Sequence, residues 1–233
     1  MEKENLKDAS PRRKFLQTLA TGTAALGIAG VISPFQQVQA APLASVTDPG
    51  PDEWFNQVKG KHRIVFDATG PHEMFPFAWP KVFMLTNAAT GTPEKECGVV
   101  VILRHNAIPY AFPDTIWAKY NFGEMFKIDD PKTKKPSVRN PFWQPQPGDF
   151  KVPGIGEVSI GINELQQSGV MFCVCNMAIT VYSAVAAGMM KMSAEDVKKE
   201  WTNSILPGIE LMPSGVWAVG RAQEHGCAYC FVG

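Results

Sequence analysis

The run Gly-Val-Val-Val-Ile-Leu at 98–103 is apolar without a break, rich in β-branched residues and too short for an ordinary helix. A strand of this kind is buried on both faces, which requires a sheet covered by helices on either side. The remaining patterns agree. Arg-Ile-Val-Phe-Asp at 63–67 reads as a second buried strand closed by Asp67 and Gly70. Residues 170–175 read as a third, residues 205–212 as a short one broken by Pro207 and Gly208, and residues 227–232 as the last.

Helical periodicity separates these strands. Residues 78–89 space Val82, Leu85 and Ala89 by three and four, which predicts a helix. Helices are also predicted at 114–122 and 162–168, and at 176–190 with Met177, Val181, Ala184 and Val185 along one side. Ser193 reads as the cap of a helix running to Trp201, and Pro213 and Ser214 open a final helix that Gly226 stops. Strands alternating with helices predict one α/β domain over 62–233: a doubly wound, mostly parallel five-stranded sheet with helices on both faces. In such sheets ligands gather beyond the carboxyl ends of the strands.

Two segments fall outside this alternation. Residues 41–61 carry Pro42, Pro49, Gly50 and Pro51 and read as an extended leader on the surface. Residues 123–160 hold six prolines and three loop glycines, and read as an insertion that Phe142 and Trp143 anchor, serving as a packed lid or a subunit contact.

The first forty residues read as an address. Arg12-Arg13 precede a weakly apolar run from Phe15 to Ile32 that ends at the small-residue site Val38-Gln39-Ala40, the pattern of a twin-arginine export signal cleaved near Ala40. The expected location is periplasmic, with the translocase as a transient partner and no stable membrane span after cleavage. Export in the folded state is compatible with a preloaded cofactor, but the sequence requires none. Five cations and three carboxylates precede residue 41, leaving 17 against 19 in the exported chain, and the whole chain balances at 22 against 22. Without a basic excess, nucleic acid is not an expected partner. No GxGxxG after a strand, P-loop or HExxH occurs, which removes support for nucleotide binding and zinc hydrolysis.

The chemistry is sought at the strand ends. The first strand ends in Asp67, the second in Arg104 and His105, and the third in Cys175 on the turn Cys175-Asn176-Met177. A thiol where a helix starts meets free backbone N–H groups and the positive end of the dipole, which favour a thiolate. Cys175 is the candidate nucleophile, His105 a candidate proton or charge partner, and Asp67 and Asn176 candidate substrate contacts at the same edge. Cys173, two residues earlier, points by the period of two to the same side and is a candidate resolving thiol. Cys227 and Cys230 form a C-x-x-C inside a strand, where positions three apart face opposite sides.

Three stretches resemble the DsrE/DsrF-like family: the strand at 99–105 ending in His105, the strand at 169–178 leading to Cys175, and the closing helix and strand at 213–229. The resemblance implies a flavodoxin-like domain, assembly with itself as a trimer or hexamer, and a persulfide carried on Cys175 in exchange with a sulfur donor or acceptor protein. An alternative from another class is a binding module in which Cys173, Cys175, Cys227 and Cys230 hold a metal or iron–sulfur cluster. A third is a non-catalytic oligomeric periplasmic protein.

Overall fold

The computed structural model describes residues 50–232. The export signal read at 1–40, and residues 41–49 of the leader, lie outside the described residues. Five strands form the main sheet: β1 (His62–Ala68), β2 (Cys97–Leu103), β5 (Met171–Cys175), β6 (Ile209–Met212) and β7 (Ala228–Val232). A two-stranded antiparallel ribbon of β3 (Lys151–Val152) and β4 (Gly156–Glu157) stands apart from it. The sheet order is β6-β5-β2-β1-β7, and every adjacent pair is parallel. As the 98–103 run requires, all seven residues of β2 are buried.

The helices are α1 (Phe75–Ala89), α2 (Asp114–Tyr120), α3 (Phe122–Phe126), α4 (Ile162–Gln167), α5 (Asn176–Met190), α6 (Ala194–Asn203) and α7 (Gly215–Glu224). From β1 through β2 and β5 to β6 the chain advances in one direction across the sheet, then returns past all of them to place β7 beside β1. Right-handed crossovers put the helix of a returning connection on the opposite face. The two cores follow this division. Phe66, Val99, Val101, Phe172 and Val174 face the larger layer, which includes α1 and α5, whereas Val65, Val100, Ile102 and Cys173 face the smaller one with Ala218 and Ala222 of α7. The doubly wound α/β architecture is therefore present, with unequal layers.

The described part of the leader lies mostly on the surface, as expected, but is not extended throughout. Glu53–Gln57 forms a 3-10 turn whose Phe55 is fully buried beside Val58 in the smaller core, edge-on to Trp217 of α7. One helix cannot cover that face alone, and the turn completes it.

The inward rows of two helices also differ from the periodicity. In α1 the buried residues are Pro76, Phe77, Pro80 and Met84, leaving Val82 56% and Leu85 50% exposed. In α5 they are Ile179, Ser183, Ala186 and Ala187, while Val181 and Val185 are 46% and 50% exposed. Both helices are apolar around most of their circumference, so the periodicity fits more than one inward face.

Residues 123–160 pack onto the domain. Asn140, buried, donates from Nδ2 to the carbonyls of Tyr110 and Phe112 at 2.9 and 3.0 Å, and its amide donates to Asp114 at 2.8 Å. Arg139 binds Asp130 at 2.8 Å and Asp149 through two bonds of 2.7 and 2.8 Å, cross-linking the loop. Gly123 lies so close to Ser137 that a Cβ there would stand 2.2 Å from its amide nitrogen. Among the described residues, no helix is long and apolar enough to cross a membrane.

Candidate functional site

At the carboxyl edge of the sheet, three neighbouring strands each contribute one polar or sulfur-bearing side chain. In the order β5, β2, β1 these are Cys175, Arg104 (the residue after β2) and Asp67, while Tyr229, level with Val65 near the start of β7, brings its hydroxyl to the row from below. Asp67 is 1% exposed, a position a carboxylate occupies only when its oxygens are satisfied. Arg104 supplies a bidentate pair, Nε to Oδ1 at 2.6 Å and Nη2 to Oδ2 at 2.8 Å, and the Tyr229 hydroxyl donates to Oδ2 at 2.8 Å. The hydrogen bond to Asp67 holds the Arg104 guanidinium above its ordinary pKa, against partial burial, and the charge of Asp67 adds to it. The Arg104 stem lies on α7, where Gly215 leaves the space: a Cβ there would stand 2.5 Å from the Arg104 Cβ.

Cys175 ends β5 and caps α5. Its backbone turns at φ −81° and ψ 110°, and its sulfur accepts the Ala178 N–H at 3.3 Å. Pointing at the helix start withdraws the sulfur from solvent, so the residue is 6% exposed rather than open at the turn. Beside it, the Asn176 side-chain oxygen is buried and has no hydrogen-bond partner among the described residues. An orphaned acceptor of this kind is unfavourable unless some other group donates to it.

The other expected site residues have different neighbours. His105 opens the 3-10 segment His105–Ala111 in a left-handed conformation, φ 51°, and its ring meets Tyr182 of α5, whose hydroxyl lies 3.5 Å from Nε2 and donates to Asn106. Cys173 does not share a layer with Cys175: the strand ends at Cys175, whose sulfur joins the larger core, while Cys173 is fully buried in the smaller one. Burial pushes the Cys173 thiol well up, with the charges of Cys175 and Glu210 adding to the rise, so it is a neutral buried group rather than a resolving nucleophile.

All five cysteines are free thiols. The pairs Cys173/Cys175 and Cys227/Cys230 stand on strands separated by β2 and β1, about 14 Å apart at ordinary strand spacing. That is too far for four thiolates around one ion, and among the described residues no three His, Cys, Asp or Glu side chains converge as metal ligands. The four-cysteine centre is not formed. Cys227 and Cys230 do face opposite layers, as their spacing of three requires.

Arg104 and Tyr229 are the residues that sequence reasoning did not place in the site. The signal for Arg104 was its position at a strand end beside His105. Tyr229 lies inside the C-x-x-C and was overshadowed by it.

No family model and no curated protein matches this sequence. Among solved structures the chain is similar to a protein of unknown function, MTH1491 from Methanobacterium thermoautotrophicum, at 16% identity, covering 74% of this chain and 100% of that one with a TM-score of 0.36.

Proposed function

We propose that this chain, exported by the twin-arginine route, takes up and passes on sulfane sulfur as a persulfide on Cys175. The observation that carries the reading is the Ala178 N–H aimed at the Cys175 sulfur from the first turn of a fifteen-residue helix. An amide and a helix dipole directed at one atom stabilise negative charge there. With Cys175 only 6% exposed, a small inorganic donor such as polysulfide is favoured over a bulky one. In the step, the Cys175 thiolate attacks a sulfane sulfur and the donor's sulfur–sulfur bond breaks. The shortened polysulfide departs with the bonding pair and takes up a proton, leaving the persulfide on Cys175. The orphaned Asn176 oxygen is available to a protonated sulfur species at the same place. The outward apolar rows of α1 and α5 support assembly with further copies of the chain, as a trimer or hexamer.

The test is intact-mass analysis of the purified chain after brief exposure to inorganic polysulfide, followed by cyanide treatment to remove sulfane sulfur. The wild type and Cys173→Ser gain a cyanide-labile sulfur, and Cys175→Ser does not. Retention of the adduct in Cys175→Ser defeats the assignment.

A further inference from the structure

The loop between α3 and α4 encloses space as well as filling it. A cavity of about 550 Å³ lies between the turn after β1 and residues 127–151, within the size range of small-molecule sites. One wall is the end of an aromatic stack. Phe77 lies on Phe142 with ring centres 4.1 Å apart, and Phe142 lies on Phe150 at 4.4 Å. Phe142 has a ring on each side, so Phe150 is the terminal member, and it borders the cavity.

Tyr110 borders the same space and is 1% exposed. Its carbonyl is engaged by Asn140, but its hydroxyl has no hydrogen-bond partner among the described residues. Burial, with no opposing partner, pushes the phenol pKa up, so the group remains a proton donor at neutral pH. A hydroxyl on a residue that borders a cavity, with no protein acceptor among the described residues, is well placed for a ligand acceptor.

The charges sort into two sets. Asp130 and Asp149 border the cavity but are bound by Arg139, with Lys132 3.6 Å from Asp149. The rest are Lys127, Lys134 and Lys151 against Glu73 and Asp129, none of them in an ion pair among the described residues. Three exposed cations against two carboxylates leave a positive excess at the mouth.

We propose that this cavity binds a planar aromatic anion, its ring stacked on Phe150, a polar substituent accepting from the Tyr110 hydroxyl, and its anionic group among the three lysines. The site is separate from Cys175 and stands whether or not that residue carries sulfur.

Isothermal titration of the full chain with hydroxynaphthoate, and with the neutral hydroxynaphthamide, tests it. The expected result is one site per chain with a Kd below about 1 mM, the anion binding about tenfold more tightly than the amide. Tyr110→Phe weakens the anion about fivefold. The triple change Lys127→Gln, Lys134→Gln, Lys151→Gln touches only exposed side chains, preserves the thermal midpoint and brings the two probes to equal affinity. Absence of saturable binding, equal affinity of the probes for the wild type, or an anion preference that survives the lysine changes overturns the proposal, and none of these depends on the folding of the Tyr110 variant.

Discussion

Replacing Arg104 with Met keeps most of the aliphatic stem lying over Gly215 and removes both hydrogen bonds to a carboxylate whose side chain is 2% exposed. Removing one partner of a buried pair costs about 3–5 kcal/mol because the remaining charge is stranded. Here Tyr229 still donates to Oδ2, and the Arg104 side chain is 27% exposed in the native pair, so the lower end applies, about 3 kcal/mol. With a urea slope of about 2 kcal/mol per molar, the unfolding midpoint falls by about 1.5 M at fixed protein concentration. The source of the loss separates the reasoning from a mere packing defect. If the stranded carboxylate is responsible, Arg104→Met combined with Asp67→Asn is more stable than Arg104→Met alone, and the double-mutant cycle returns a coupling of about 2 kcal/mol. A midpoint shift below about 0.5 M, or a double variant no more stable than the single one, refutes the view that Asp67 and Arg104 hold the edge of the sheet as a unit.

Two further predictions concern the loop and the surface. In Asp130 burial acts upward, but the Thr133 and Lys132 amides and Arg139 outweigh it; in Asp149 burial again acts upward, and Arg139, the Gln146 amide and Lys132 outweigh it. Both carboxyls are therefore held below their ordinary range, so their stabilisation is complete above that range and is lost as pH falls below about 4 through the folded values. Thermal melts across this window should show a steeper acid loss in the wild type than in Arg139→Met, and equal slopes would remove the role given to Arg139. Val181→Lys with Val185→Lys changes half-exposed side chains, so stability should move by less than about 0.5 kcal/mol. Sedimentation should nonetheless convert an assembly into single chains, and a wild type that already sediments as one chain rules out the assembly.

The strands were legible because burial on both faces leaves an unbroken apolar run, as in β2, and because Ser193 and Ser214 cap helices by accepting the amides of Asp196 and Trp217. The facing of α1 and α5 was not. Phe77, Pro80 and Met84 form one apolar row and Val82, Leu85 and Ala89 another, and only the neighbouring layer selects between them. Small residues at Ala186 and Ala187 are inward in α5, although a hydrophobicity reading favours the larger Val181 and Val185. Residues 50–61 are legible in their path and surface position and not in their two buried residues, Phe55 and Val58. Their prolines and glycines signal an irregular path, which they follow, but path says nothing of burial, and Phe55 fills a gap that one helix on the smaller layer leaves.

Reading along the chain pairs residues that are close in sequence: Cys173 with Cys175, His105 with Arg104, Cys227 with Cys230. A parallel sheet brings groups together at right angles to that direction. Successive positions of one strand alternate between layers, which separates Cys227 from Cys230, and a strand that ends in a helix cap breaks even the period of two, which separates Cys173 from Cys175. Meanwhile Asp67 and Tyr229, 162 residues apart, share a hydrogen bond because β7 returns beside β1. The relevant pattern in a sequence of this class is one polar residue at the carboxyl end of each of several apolar strands. Arg104 met that description as fully as Asp67 and Cys175 did, and its long, permanently charged side chain is suited to span neighbouring strands.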